Sequence, residues 1–317
     1  MMVSLKRILC WFGLFFLLEY YRIFVIVLNT CLSLSYYEYQ SIFRKICESQ
    51  TGKKEEIYIS QLSGSFIPLI LNQVFTISSS LFSENPERML CMCLFISIVI
   101  LSFTRIRQYS SFCIEVTEEK RKKKKLTKSR DEDNLYIGVF KWVRISALCF
   151  TFMMGDIFFI SLITFPYCYS IILLNLPYFL YREGKNLMFL WLTLSLANKV
   201  FLHFRAGKTK ILYHVSPGKT VEGIFIMYLL NLILALVLRA FSGFWLIPEL
   251  DLLNFLVISV IVSTSGIIGS TAGSFIKRVA MVKDSGNGIA GFSGFFDQID
   301  YIVLAGPGIY YYITLCT

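Results

Sequence analysis

The sequence predicts an all-α, polytopic integral membrane protein with about eight to nine transmembrane helices. Three observations lead there. Of the 317 residues 56% are hydrophobic and only 16% charged, and the mean hydropathy is +0.62, more apolar sequence than a water-soluble core of this size requires. Uncharged runs recur along the whole length, and the charges gather between them. No polar block is long enough to form a soluble domain, so a soluble globular enzyme is excluded. The abundance of Phe (29) and Tyr (18) and the lack of polar repeats exclude a disordered chain and a coiled coil.

A span needs about 20 mostly apolar residues, and the candidates run roughly over 8–34, 57–82, 89–104, 145–181, 187–202, 222–247, 252–273 and 299–317. The first carries Glu19 and Arg22, i,i+3 neighbours able to pair on a protein-facing side. It is too long for a signal sequence, lacks a small-residue cleavage site and is followed by further spans, so it is expected to be retained. Residues 1–104 then form an N-terminal group of helices, 105–144 a charged cytosolic loop, and 145–317 a transmembrane domain that carries the chemistry.

Charge placement sets the sidedness. The net charge is +10, and the run Lys120, Arg121, Lys122, Lys123, Lys124, Lys125, Lys128 and Arg130 marks a loop that stays in the cytoplasm. Attraction to anionic head groups is the other reading of such a run. Nucleic-acid binding is not expected, because no folded basic surface with interleaved aromatics accompanies it. Loops 203–221 and 274–298 are also basic and are separated by two segments each long enough to span, so they face the same side. If loop 105–144 shares that side, residues 145–202 cross an even number of times. Two crossings with a tip near Arg182–Lys185 fit best; Pro166 and Pro177 leave open a third, broken segment.

The nine cysteines are scattered, odd in number and without a C-x-x-C pair, so neither a disulfide framework nor a zinc site is indicated. His203 and His214 are too far apart in sequence to share a helical turn.

The distinctive segment is 274–300, SFIKRVAMVKDSGNGIAGFSGFFDQID. Ser274, Lys277, Arg278, Lys283, Asp284, Gly294, Asp297 and Asp300, with apolar residues at 276, 289, 295 and 299, resemble the signature of the phosphatidate cytidylyltransferases (CDP-diacylglycerol synthases). Ala290, Phe292, Ser293 and Gln298 depart from it, standing where that family usually has proline, histidine, glycine and arginine. Upstream, SPGKTVEG at 216–223 is similar to the family's S-P-K-K-T-x-E-G, retaining Ser216, Pro217, Lys219, Thr220, Glu222 and Gly223. Before it, Asn198 matches the first residue of a usual Asn-Asp pair, while Lys199 replaces the aspartate. Arg205, Ala206, Gly207 and Lys208 resemble the basic stretch that follows. More faintly, Tyr37, Glu38 and Tyr39 resemble an acidic helix end of eukaryotic members.

The resemblance implies transfer of a cytidylyl group from CTP to phosphatidic acid, making CDP-diacylglycerol and pyrophosphate for phospholipid biosynthesis, with Mg²⁺ as cofactor. It implies Asp284, Asp297 and Lys283 as catalytic residues and Asp284, Asp297 and Asp300 as metal ligands. Ser216, Lys219, Thr220, Lys277, Arg278, Gly291 and Gly294 are implied as substrate-binding residues. It also implies the bilayer as a partner, an endoplasmic reticulum location if the chain is eukaryotic, and leaves a homodimer open.

The residue types suit that chemistry. Two polyanions must be neutralised and aligned, mainly by electrostatics. Aspartates are hard oxygen ligands of the kind that hold Mg²⁺ beside phosphates. Arg278 could grip a phosphate bidentately, the lysines as point charges. Gly286, Gly288, Gly291 and Gly294 would let backbone N–H groups approach phosphate oxygens. Each residue has a plainer reading as well: Lys277 and Arg278 as interfacial anchors, Gly269 and Gly273 as a helix-packing pair, Ser216-Pro217 as a helix start. Three other functions compete: a non-catalytic scaffold or lipid-binding subunit, suggested by the changes at 199, 292 and 298; a receptor or transporter; and a CTP-using lipid kinase.

Overall fold

The structure, a computed structural model, describes residues 21–51, 91–110, 131–174, 184–202, 207–212, 214–242, 247–286 and 294–316. The described residues are helical with no strands, and the protein is an all-α integral membrane protein. The helices are α1 (Tyr21–Thr51), α2 (Cys91–Ser110), α3 (Asp131–Phe159), α4 (Phe165–Leu174), α5 (Gly184–Leu202), α6 (Val221–Ala240), α7 (Leu252–Val279), the single turn α8 (Phe296–Ile299) and α9 (Ala305–Cys316). A π-helical turn, Ile160–Thr164, joins α3 to α4 without a break.

Among the described residues four helices are long and apolar enough to cross a bilayer: Cys91–Ser110, Ser146–Leu174, Val221–Ala240 and Leu252–Val279. The expected span 57–82 lies outside the described residues. The segment expected to span at 299–317 is not one continuous helix: a turn over 300–304 precedes α9, which is described through Cys316. Part of the region expected as a loop, 105–144, is helical at both flanks, since α2 continues to Ser110 and α3 begins at Asp131. The polybasic run itself is outside the described residues.

Between 145 and 202 the described chain forms two helical stretches, residues 145–174 and α5, and the first contains a segment long and apolar enough to span. Pro166 sits in the first turn of α4, directly after the π-helical turn. Gly184, the first residue of α5, lies against the Leu173 carbonyl so closely that any Cβ would collide. The chain therefore returns directly beside the helix it has just left.

Two apolar cores hold the bundle. One gathers Tyr169 and Leu173 of α4, Trp191 and Leu194 of α5, Phe255 and Val262 of α7 and Ile309 of α9. Trp191 is fully buried and donates from Nε1 to the Ile302 carbonyl at 3.2 Å, which meets the need of a buried indole for a partner. The second packs Leu32, Tyr36 and Tyr39 of α1 against Phe159, Tyr167 and Ile171, and against Ile276, Phe296 and Val303 beside the signature segment. On the outside, Phe225, Leu229, Ile233 and Leu236 of α6 are exposed, the apolar face a helix presents to lipid.

Among the buried polar groups of the helices, one carboxylate has both of its oxygens paired. Asp156 accepts from Arg105 Nε (2.8 Å) and Nη2 (2.6 Å) on one oxygen, and from Tyr36 (3.0 Å) and Gln40 (2.7 Å) on the other. One carboxylate thus ties α1, α2 and α3 together.

Candidate active site

The α6 and α7 helices run antiparallel. Moving forward along α6, the partners move backward along α7. Lys219, just before α6, donates to Ser270 Oγ (2.7 Å) and Thr271 Oγ1 (2.8 Å). Further on, Tyr228 meets Thr264 (2.8 Å) and Asn231 donates to Ser263 (2.8 Å). The start of α6 and the end of α7 therefore lie at one end of the pair, and the two basic loops share a side as the charge pattern requires.

On the α6 side the chain folds back on itself before entering the helix. Lys210 and Thr220 form an antiparallel bridge, and Val221 N donates to the Thr209 carbonyl at 2.9 Å. Thr220 is the N-cap of α6, its Oγ1 accepting from Gly223 N at 3.1 Å, the usual service of threonine there. The Glu222 carboxylate accepts from Thr209 Oγ1 at 2.8 Å. Gly207 has φ +88° and lies where any Cβ would strike the Glu222 side chain, so glycine is required both for its backbone and for its lack of bulk. Three residues of the upstream motif, Thr220, Glu222 and Gly223, thus shape the loop that delivers Lys219.

On the α7 side Gly269, Gly273 and Lys277 recur every four residues along one face. Gly269 touches the Asp300 carbonyl and Gly273 its carboxylate, both too closely for a Cβ. The glycine pair therefore packs the acidic turn onto the helix, and Lys277, one turn further, pairs with Asp297 Oδ1. Asp297 Oδ2 accepts from Ser285 N at 3.1 Å, which fastens the Lys283–Ser285 segment to α8. Arg278 Nε donates to the Val215 carbonyl at 3.2 Å, linking the end of α7 to the turn before α6.

These elements enclose a cavity of about 390 Å³. Its walls carry five cations, Lys199, Lys219, Lys277, Arg278 and Lys283, and three acids, Asp284, Asp297 and Asp300, together with Ser216, Ser270 and Ser274. Cations outnumber acids, so the cavity favours an anionic guest. Burial pushes the Lys219 ammonium down to about 8, with the Asp300 carboxylate pulling the other way. Burial likewise pushes Asp300 up to about 7 against the opposing charges of Lys277 and Lys199.

Of the residues expected to form a site, Ser216, Lys219, Lys277, Arg278, Lys283, Asp284, Asp297 and Asp300 line this one cavity. Thr220 is not among the lining residues; its hydroxyl is committed to the helix cap. Gly294 is not either: it lies against Ser285 Oγ and Glu38 Oε2, where no side chain would fit. Gly291, with positions 290, 292 and 293, is outside the described residues.

Two participants were weakly legible in the sequence. Glu38 of α1 accepts from Ser285 Oγ and from Phe296 N, both at 2.9 Å, and so closes the signature loop from behind. Its signal was an acid set between tyrosines in a largely apolar helix. Lys199 was visible only as a lost carboxylate, yet its Nζ donates to the Asp297 carbonyl (3.0 Å) and to Gln298 Oε1 (2.5 Å).

The acids suit a divalent cation of one kind. Among the described residues no three His, Cys, Asp or Glu side chains converge closely enough to hold a metal by themselves. Asp284 is exposed while Asp297 and Asp300 are buried. Mg²⁺ takes one or two carboxylates and completes its shell with substrate phosphates and water, so the donor set fits an ion shared with a substrate.

The family pattern of the cytidylyltransferases matches residues 2–316. The chain belongs to the cytidylyltransferase family. Similar proteins include the phosphatidate cytidylyltransferase of Haemophilus influenzae, 34% identical over 106 residues, or 33% of this chain and 37% of that one. The phosphatidate cytidylyltransferase of Bacillus subtilis is 34% identical over 111 residues, 34% of this chain and 39% of that one. The uncharacterized protein YnbB of Escherichia coli K12 is 31% identical over 147 residues, 45% of this chain and 48% of that one. The aligned regions thus span about half or less of the length of these curated relatives.

Proposed function

We propose that this chain transfers the cytidylyl group of CTP to phosphatidic acid, forming CDP-diacylglycerol and pyrophosphate at the cavity between α6 and α7. The observation that carries the reading is the meeting of two loops remote in sequence. Lys219 from one, and Lys277, Lys283, Asp284 and Asp297 from the other, line a single cation-rich cavity at one end of two membrane-spanning helices. A lipid phosphate held at the bilayer surface and a water-soluble nucleotide can both reach such a place.

In this reaction an ionised phosphate oxygen of phosphatidic acid attacks the α-phosphorus of CTP. A new P–O bond forms, the α–β P–O bond breaks, and pyrophosphate departs with the electron pair. Since the attacking oxygen is already ionised near pH 7, no general base is obligatory, which suits a cavity lined by no histidine or cysteine among the described residues. Lys219, held by two hydroxyls, and Arg278 offer fixed positive charge to the phosphates, and Lys283 stands exposed to meet the departing pyrophosphate. Lys277 holds Asp297 in place until substrate binds. Carboxylates among Asp284, Asp297 and Asp300, together with substrate phosphates, would hold Mg²⁺, which would supply Lewis-acid stabilisation of the developing charge.

The deciding experiment incubates purified protein with labelled CTP, phosphatidic acid and Mg²⁺. CDP-lipid is the expected product; a phosphorylated lipid would instead indicate a kinase, and no product a binding subunit. The relatives named above are bacterial, which gives no reason to place the chain in an endoplasmic reticulum, and the location proposed is a membrane.

A further inference from the structure

The helix α1 belongs to the N-terminal part of the chain, outside 145–317, where the sequence places the chemistry. One of its side chains nevertheless meets the signature segment at both ends. Glu38 Oε2 accepts from Ser285 Oγ and from Phe296 N, both at 2.9 Å, across 247 and 258 residues. A Cβ on Gly286 would stand 2.9 Å from Glu38 Oε1, and one on Gly294 2.3 Å from Oε2, too close in either case. The two glycines are what let the carboxylate come this near.

What Glu38 holds leads directly to Asp297. Phe296 is the neighbour of that acid in the chain. Ser285 is its partner through space: the same residue gives its hydroxyl to Glu38 and its backbone N–H to Asp297 Oδ2 at 3.1 Å. Lys277 occupies Asp297 Oδ1. Glu38 is not among the residues that line the cavity, so it acts through these two donors and not on a substrate.

Glu38 is itself held. Tyr36, Tyr39 and Gln40, at i, i+3 and i+4, share one face of α1, and α3 fixes all three. Tyr36 Oη and Gln40 Nε2 donate to Asp156 Oδ1 at 3.0 and 2.7 Å, and Tyr39 Oη donates to the Gly155 carbonyl at 2.9 Å. The Tyr39 ring also packs on Phe296, with centroids 5.6 Å apart. A carboxylate carried between such anchors is a fixed acceptor, and fixed supports hold a reacting constellation in its productive geometry.

We infer that Glu38 is a positioning residue for Asp297, acting through Ser285 and Phe296, and that α1 is thereby a working part of the active site. Both donors meet one oxygen, so a glutamine carbonyl in its place can keep them. The link to turnover rests on the cytidylyl-transfer reading; the contact itself does not.

The test uses the full chain in detergent with Glu38→Ala, Glu38→Gln, Ser285→Ala, Asp297→Asn and the double variant Glu38→Ala with Asp297→Asn. Each is assayed for CDP-lipid formed per folded molecule, for KM toward CTP and for its thermal midpoint. Glu38→Ala is expected to lower kcat about tenfold with KM within about twofold, the mark of support lost in the transition state. Glu38→Gln is expected to stay within about threefold of wild type, since it keeps the acceptor; a glutamine variant no better than alanine overturns that role. In the Asp297→Asn background Glu38→Ala is expected to cost at most about a further twofold, because its effect passes through Asp297, and a further loss of about tenfold overturns the inference. Wild-type kcat in Glu38→Ala, with only KM or the midpoint changed, overturns it as well. If Glu38→Ala does not fold, Ser285→Ala replaces it, with an expected kcat loss of about threefold that vanishes beside Asp297→Asn; a loss that persists there overturns the inference. A wild type that forms no CDP-lipid sinks the proposed reaction. Glu38 is then judged by midpoints: non-additive shifts for Glu38→Ala and Ser285→Ala support the brace, and fully additive ones overturn it.

Discussion

Two buried ion pairs in this molecule differ in how completely they are enclosed. Arg105 and Asp156 are 2% and 0% exposed in their side chains, and both oxygens of Asp156 are filled by Arg105, Tyr36 and Gln40. Lys277 and Asp297 are 12% and 8% exposed and border a cavity with surplus cations. The first network joins three helices and leaves no opening for a ligand at Asp156. The second is held ready on a wall that a phosphate can reach. Satisfaction of every lone pair marks structure, whereas a pair beside unneutralised charge marks a site.

The largest effect that would break this comparison is on folding. Arg105→Ala strands Asp156 among apolar helices and is expected to cost about 3–5 kcal/mol, read as lost folded yield in detergent. Replacing both partners, Arg105→Met with Asp156→Leu, is expected to recover most of that yield, since a closed ion pair can often be exchanged for apolar packing. Equal losses in the single and double variants would show that the network does more than join helices.

Asp297→Asn is expected to behave in the opposite manner. Turnover should fall by at least about tenfold, with folded yield and thermal midpoint near those of wild type. Unchanged turnover would count heavily against the assignment of this acid.

A third effect is on pH. Lys219 is cationic below about 8 and loses its charge as pH rises through that value. The kcat/KM for CTP, which reports the free enzyme, should therefore fall above about pH 8, approaching tenfold per pH unit. Lys219→Arg, which stays charged, should flatten that limb. The stability consequence has the other sign: between about 8 and 10.5 the unfolded chain binds more protons, so stability attributable to this lysine rises with pH in that window. A flat profile in wild type would remove Lys219 from the phosphate site.

The smallest expected effect is at the cap. Thr220→Ala should cost about 1 kcal/mol of stability, while Thr220→Ser, which keeps the hydroxyl, should cost less. Loss of CTP affinity in Thr220→Ala with stability unchanged would return this residue to the substrate-binding set.

Much of the site was legible because its cations and acids sit at short, regular spacings within two segments. Lys277 and Arg278 close an apolar helix, and Asp297 and Asp300 stand three residues apart, so their proximity is a local property. The function of Thr220 was not legible, because a threonine before a helix serves equally as a cap or as a ligand. The glycines of α7 carried two readings, and contact with Asp300 decided for packing. The reading of 299–317 as one continuous apolar helix missed the turn at 300–304, because hydropathy measures transfer into any apolar surroundings and residues 300–303 are buried within the protein.

What the sequence determined by itself was which segments are apolar enough for a membrane and that the two motif loops lie on one side. Transfer free energy and charge sidedness belong to single stretches of chain, and no distant partner alters them much. Only the tertiary structure decided which polar atoms meet: Glu38 with Phe296, 258 residues apart, and Lys199 with Gln298, 99 apart. Hydrogen bonds act over about 3 Å, so their partners are set by how helices pack.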